Sequence, residues 1–212
     1  MTNQIRILMA AFMLSGAMTM GAKAVEEAVY TVLQANDRFE LRDYEPQIVA
    51  EIEVGGTMEQ AGNRAFRPLY RYIAGNNQPR TSIPMTSPVT QKRAGEKIAM
   101  TAPVGQRAVE DRWVVHFMMP ATYTMETLPV PDHSRITLRE IPARRVAAVR
   151  YSGRWTERNY RRHKADLVKW IEAQGWEREG DPVWARYNPP FMPWFMRRNE
   201  VLIPVAETGS DG

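Results

Sequence analysis

Cysteine is absent from the chain, which excludes disulfides, lipid attachment at a lipobox, thiolate ligation of a metal and cysteine nucleophiles. Histidine is scarce, with three in 212 residues and none before His116. The sequence contains no Gly-x-Ser-x-Gly elbow, no His-Glu-x-x-His pair and no glycine-rich phosphate loop, so the common hydrolase, zinc-protease and phosphate-binding signatures are missing. Charge of one sign is not concentrated either. The 28 basic and 24 acidic residues are interspersed and leave a net charge of +4, without the basic tail or stripe that points to nucleic acid. The apolar run at residues 7–20 falls short of the ~20 residues that a membrane-spanning helix needs.

That run follows a single charge, Arg6, and leads to Ala22-Lys23-Ala24, a small-x-small cleavage pattern. Residues 1–24 are therefore expected to be a signal peptide cut after Ala24, and the mature protein to be periplasmic or secreted. An N-terminal membrane anchor is the alternative. The rest is of ordinary globular composition, 44% hydrophobic and 25% charged over the whole chain, and is expected to form one domain over 25–208 ahead of a flexible tail at 209–212. Lacking disulfides, it must rely on its apolar core.

Residues 30–33 and 39–44 are predicted as short strands around the turn residues Asn36-Asp37. Residues 47–54 alternate, with Ile48, Ala50, Ile52 and Val54 on one face, and end at Gly55-Gly56. Thr57 with Gln60 three residues later is a capping-box pattern that opens a helix to Ile73, closed by Gly75. Pro68 lies inside it and would kink it or remove a hydrogen bond. Leu41-Arg42, Pro46, Val49-Ala50, Ile52 and Gly56 return as Leu138-Arg139, Pro142, Val146-Ala147, Val149 and Gly153, almost all 97 residues on. The helix returns too, with Leu69, Tyr72 and Ile73 matching Leu167, Trp170 and Ile171. The chain is thus a duplication, with repeats at about 30–120 and 135–205, each read as strand, helix, strand, strand. Neither repeat could cover its own sheet. The fold class is α+β with pseudo-two-fold symmetry.

Ile83-Pro84-Met85-Thr86-Ser87-Pro88-Val89 is echoed by Ile98-Ala99-Met100-Thr101-Ala102-Pro103-Val104 across the polar stretch 91–97. The pair is expected to fold back as a hairpin, with ladder pairing interrupted at Pro88 and Pro103. The run from Lys97 to Val104, together with Tyr187-Asn188-Pro189-Pro190-Phe191 and Arg197-Arg198-Asn199-Glu200-Val201, resembles the SOUL haem-binding protein family, and the likeness extends from about residue 30 to residue 205. It implies a distorted antiparallel β-barrel or curved sheet carrying two helices, similar to gyrase-inhibitor-like effector-binding domains. It also implies a haem cleft along the first helix and the later Pro-Pro loop.

The duplication shows where the two helices differ. Gly62, Ala65, Leu69, Tyr72 and Ile73 match Tyr160, His163, Leu167, Trp170 and Ile171, and this stripe is expected to face the sheet. Beside it Phe66 and Tyr70 form an aromatic ridge whose counterparts are Lys164 and Val168. Such a pair wants a covering ligand or more protein above it. Asn63 precedes the ridge by about a turn, and Arg64, Arg67 and Arg71 border it. A flat apolar ring with two carboxylates, such as haem or a related porphyrin, suits aromatic faces and guanidinium forks. The loop at 187–198 packs four aromatics and two methionines among prolines and arginines. From it Tyr187, Phe191, Met192 and Trp194 are expected to face the first helix across the cleft. The loop could equally plug one end of the barrel, or touch a protein or membrane surface. Non-covalent haem is the expected cofactor, with no other metal. Some SOUL proteins place a histidine ahead of the first helix, a position without one here. His116 is read as a sheet-face residue, His133 as a loop residue facing solvent, and His163 as a weak candidate iron ligand on the border of its helix stripe. The expected function is that of an exported, monomeric, non-catalytic tetrapyrrole binder. The alternatives are an interaction module and a hydrolase-like effector-binding domain.

Overall fold

The computed structural model of the protein describes residues 25–80 and 95–207. Residues 1–24, expected to be a leader, the first copy of the repeated heptad and the expected tail at 209–212 lie outside the described residues. Strands β1 (Glu26–Glu27), β2 (Tyr30–Asn36), β3 (Phe39–Tyr44) and β4 (Gln47–Val54) precede helix α1 (Met58–Ile73). Strands β5 (Asn77–Gln78), β6 (Thr101–Ala102), β7 (Val104–Val109), β8 (Arg112–Met118), β9 (Val130–Pro131), β10 (Ile136–Ile141) and β11 (Arg144–Tyr151) lead to helix α2 (Glu157–Ala173). After it come β12 (Trp176–Arg178), β13 (Val183–Arg186) and β14 (Asn199–Glu207). The main sheet runs β10-β4-β8-β7-β13-β14-β11-β3-β2, with β12 also on β14.

The duplication is explicit in the pairing. Ile136 of β10 opposes Ile52 of β4, and Phe39 of β3 opposes Val149 of β11, the same pair displaced by 97 residues in each member. Each half has a strand, β3 or β10, just ahead of the strand that enters its helix, which the strand-helix-strand-strand reading does not supply. That extra strand pairs with the other half, β3 on β11 and β10 on β4, so the halves exchange their first strands.

The links force the sheet to curl. Six steps along the sheet order separate β10 from β11, about 29 Å if flat at about 4.8 Å per strand. Pro142 and Ala143 join them and can span at most about 11 Å. Glu45 and Pro46 impose the same constraint between β3 and β4. The result is a curved, open antiparallel sheet with both helices outside the curl. α1 packs with Ile52, Val115 and Phe117 in one core. α2 packs with Val149, Val201 and Ile203 in a second. The inner face holds a third cluster around Tyr44, Val146, Val183 and Leu202, so Val49 of β4 is as fully buried as Ala50 on the opposite face.

The local signals shape the helices as expected. The Thr57 hydroxyl accepts from Gln60 N at 3.3 Å, and α1 continues through Pro68 to Ile73. Gly75 takes φ +112°, and Asn76 N and Gly75 N return to Arg71 O and Tyr72 O at 2.9 and 3.3 Å, closing the helix in a Schellman turn. Gly62, Ala65, Leu69, Tyr72 and Ile73 are all buried on α1, as are Tyr160, His163, Leu167, Trp170 and Ile171 on α2. Each large apolar side chain in these stripes contributes about 1.5–3 kcal/mol of burial. Of the expected hairpin, only the second arm is described. Thr101–Ala102 pairs in parallel with Glu26–Glu27, and Pro103 separates β6 from β7.

Candidate ligand cleft on the first helix

Asn63, Phe66 and Tyr70 fall on one exposed stripe of α1, beside the buried one. Phe66 and Tyr70 stack at 5.8 Å with an interplanar angle of 11°, and Phe66 meets Phe117 of β8 edge-on at 5.5 Å. The ridge is braced from below, yet Phe66 and Tyr70 remain 40% and 48% exposed. Arg64, Arg67 and Arg71 occupy the next stripe and form one wall of a cavity of about 490 Å³, with Asp132, His133 and Arg135 opposite. Arg64 donates to Gly55 O at 2.9 Å, while Arg67, Arg71 and Arg135 make no ion pair among the described residues. The cavity is therefore basic, Asp132 being its one acid.

His133, expected to face solvent, is half-buried in this wall. Its Nδ1 accepts from Arg135 N at 3.3 Å. That leaves the ring proton on Nε2 and makes this nitrogen a donor rather than a free lone pair. The residues that bring His133 opposite Arg67 and Arg71 are β9 and the turn after it, and nothing in sequence spacing announces that proximity.

The loop residues are placed differently. Arg197 donates to Met192 O and Pro190 O at 2.8 and 2.7 Å, and Asn188 Oδ1 accepts from Arg198 N. Trp194 O accepts from Gly153 N at 3.0 Å, and Arg154 lies over the Trp194 ring, so the loop is fastened to the turn ahead of α2. Phe191 is 84% exposed and Trp194 is half-exposed, with Met192 intermediate. Tyr187 is not brought together with Phe66 and Tyr70. The two-residue period of a strand puts it on the inner face with Val183 and Ala185, where its hydroxyl donates to Glu200 at 2.7 Å. No hydrogen bond or ring pairing joins Phe191, Met192 or Trp194 to the α1 ridge among the described residues.

His163 is buried and stacks on Tyr151 at 3.9 Å. Its Nδ1 and Nε2 lie 3.0 and 3.2 Å from the guanidiniums of Arg38 and Arg162. Burial, aided by those two charges, pushes its pKa down to about 4. His116 projects from β8 onto the inner face, paired with Gly105 and Glu51, and burial likewise lowers it to about 4. The described residues contain no group of three or more His, Cys, Asp or Glu side chains placed to hold a metal ion.

The SOUL heme-binding protein family model matches residues 25–204. The chain belongs to this family. Heme-binding protein 1 of Xenopus tropicalis is 26% identical over 164 residues, 77% of this chain and 81% of its own length, and the Xenopus laevis protein of the same name gives the same figures. Among solved structures, the EcmrR C-terminal domain superposes with a TM-score of 0.59 at 13% identity, covering 84% of this chain and 99% of that domain. A hydrolase from Listeria innocua gives 0.51 at 14% identity, covering 81% and 94%. These two likenesses concern the fold alone.

In this SOUL protein the Arg198-Asn199-Glu200 motif does structural work. Glu200, with no exposed surface, accepts from Arg42 at 2.8 and 3.2 Å, from Arg198 at 3.1 Å and from Tyr187. Burial alone would raise its pKa, but the bonds and charge of Arg42, with Arg198 and Tyr187, hold the carboxylate below its usual range. Asn199, on the other face, accepts from Trp155 Nε1 at 2.7 Å and donates to Gly153 O at 3.2 Å, fixing the entry to α2. Sequence reasoning found the motif without its partners.

Proposed function

We propose that this SOUL protein is an exported, non-catalytic haem or porphyrin carrier that holds its ligand on the outer face of α1. The observation that carries the reading is the exposed Phe66/Tyr70 stack beside a cavity rimmed by Arg67, Arg71 and Arg135, which make no ion pair among the described residues. Those residues fit the group: two aromatic faces suit an apolar macrocycle, and Arg67, Arg71 and the Nε2–H of His133 suit two carboxylates. When bound, haem would supply its iron and conjugated ring. The protein supplies the apolar surface, the charge and the exclusion of water from one side of the ring. Asn63 is the polar group at the N-terminal end of the ridge, and Phe191, Met192 and Trp194 are the loop side chains available to cover the ligand. Tyr187 acts indirectly here, through the Glu200 cluster at the root of the loop.

A hydrolytic role has less support. Glu200, the most deeply buried acid, is saturated by three donors and held ionised, so it is a poor proton acceptor with no route to a substrate. Export rests on residues 1–24 alone. The exposed Phe191, Trp194, Phe195 and Met196 favour one second reading, contact of the loop with a lipid or protein surface.

The test is a haemin titration of residues 25–212 followed in the Soret region, in parallel with a Phe66→Ala/Tyr70→Ala variant. At about 1 kcal/mol per aromatic contact, the double variant should bind at least about tenfold more weakly. Equal affinity in the two proteins would overturn the site. Liposome binding that depends on Phe191 and Trp194 but not on Phe66 and Tyr70 would favour the second reading.

A further inference from the structure

The inner face of the curl contains a basic cavity of its own. About 290 Å³ in volume, it lies where the β10–β11 link folds back over the central strands and is lined by Arg107, His116, Arg139 and Arg144, with Ile141 and Val183 as apolar walls. Its charges do not balance. Arg139 is paired with Glu51 at 2.9 Å. Among the described residues Arg107 has only a loose partner, Asp181 at 3.8 Å, which lines the same cavity and whose carboxylate is 63% exposed. Among the described residues the Arg144 side chain has neither an ion pair nor a hydrogen bond, and its Nε is buried without a partner. His116 Nδ1 is buried and unpartnered as well. The imidazole can lie there because β7 presents Gly105 beneath it, where a Cβ would collide with the ring. Guanidiniums that face one another and are partly withdrawn from water, the Arg107 and Arg139 side chains being 25% and 41% exposed, are costly unless something negative compensates them. Burial, opposed by Tyr44 and reinforced by the charges of Arg139 and Arg107, already disfavours the protonated form of Arg144.

We propose that this cavity is a binding site for a small organic carboxylate, its carboxylate held by Arg144 and Arg107 and its apolar body against Ile141 and Val183. A planar guanidinium matches a carboxylate in two parallel hydrogen bonds, and the free donor edges of Arg144 supply them. His116 contributes its unpartnered nitrogen at the floor. The volume admits a body of roughly a single ring and is too small for a macrocycle. The site is independent of the α1 cleft, because no residue lining it contributes to the Phe66/Tyr70 ridge or to the arginine wall beside it.

The probe is benzoate, with inorganic phosphate as a comparison, titrated calorimetrically into residues 25–212 and into an Arg144→Met variant. Benzoate should bind one-to-one to the parent protein, and its affinity should fall at least tenfold in Arg144→Met. In the absence of ligand the same variant should melt no lower than the parent, since it loses a half-buried charge whose Nε is unpartnered and keeps an apolar stem of similar length. A structural arginine would give the opposite shift. Haemin binding should be unchanged in Arg144→Met, which separates a failure of this site from a failure of the α1 cleft. Absence of benzoate binding, or equal affinity in parent and variant, would overturn the proposal. Tighter binding of phosphate than benzoate would overturn the assignment of a carboxylate on an apolar body.

Discussion

Glu200 shows how much one buried charge can control. It and Arg42 are 0% and 1% exposed, so replacing Glu200 by Gln removes the buried partner of Arg42 and leaves it only the partly exposed Glu40, at 2.7 Å; the change should cost about 3 kcal/mol in urea unfolding, the low end for a broken buried pair. An unchanged midpoint would show that water reaches the cluster. The pH dependence has a definite sign. Because the Glu200 pKa is depressed, its stabilisation is complete above the ordinary value of 4.5 and is lost as pH falls through the lowered one. His116 and His163, pushed to about 4 from 6.5, also favour the folded state fully only above 6.5 and lose that contribution as pH drops toward 4. Melting temperature should therefore decline in two stages on acidification. Glu200→Gln should flatten the stage below 4.5 and leave the upper one.

At the scale of the element, α1 does two jobs with adjacent stripes. Its Gly62-to-Ile73 stripe is core, and its Phe66 and Arg67 stripes are the proposed ligand site. Both depend on where the helix stops. Gly75, at φ +112°, lets Asn76 turn back to Arg71, and Asn76 and Arg71 line the arginine cavity together. Gly75→Ala should cost about 1–2 kcal/mol in thermal unfolding through left-handed backbone strain and should weaken haemin binding as well. Loss of stability with intact haemin affinity would detach the cavity from the helix end. Thr57, Gln60, Gly75 and both buried stripes were legible in sequence because caps and amphipathicity are local. The position of the 187–198 loop was not. Its anchors are Gly153, Arg154 and Trp155, which stand more than thirty residues away, and the side on which Tyr187 falls depends on the strand parity of β13.

For the whole molecule, exchange of the first strands makes each half incomplete. β4 pairs on one edge with β10 of the second half, and β11 pairs with β3 of the first. Residues 25–134 and 135–207 expressed separately should therefore lack cooperative unfolding and fixed near-ultraviolet dichroism, whereas mixing them should restore both. A cooperative transition in either half alone would refute this interdependence. The curl that follows from the exchange is also what brings Arg107, Arg139 and Arg144, from three different strands, around one cavity.

The sequence by itself determined the two helices, the duplication, the two core stripes and the aromatic ridge, because each follows from side-chain periodicity within a short segment. It also carried the family resemblance, through motifs that are contiguous. Only the tertiary structure decided which strands exchange, which face Tyr187 takes, how Glu200 is neutralised and where His133 and Arg144 come to lie. Those outcomes depend on pairing between residues that are close only after the sheet has curled, and two-residue links such as Pro142-Ala143 acquire their consequence from the order of strands they must bridge.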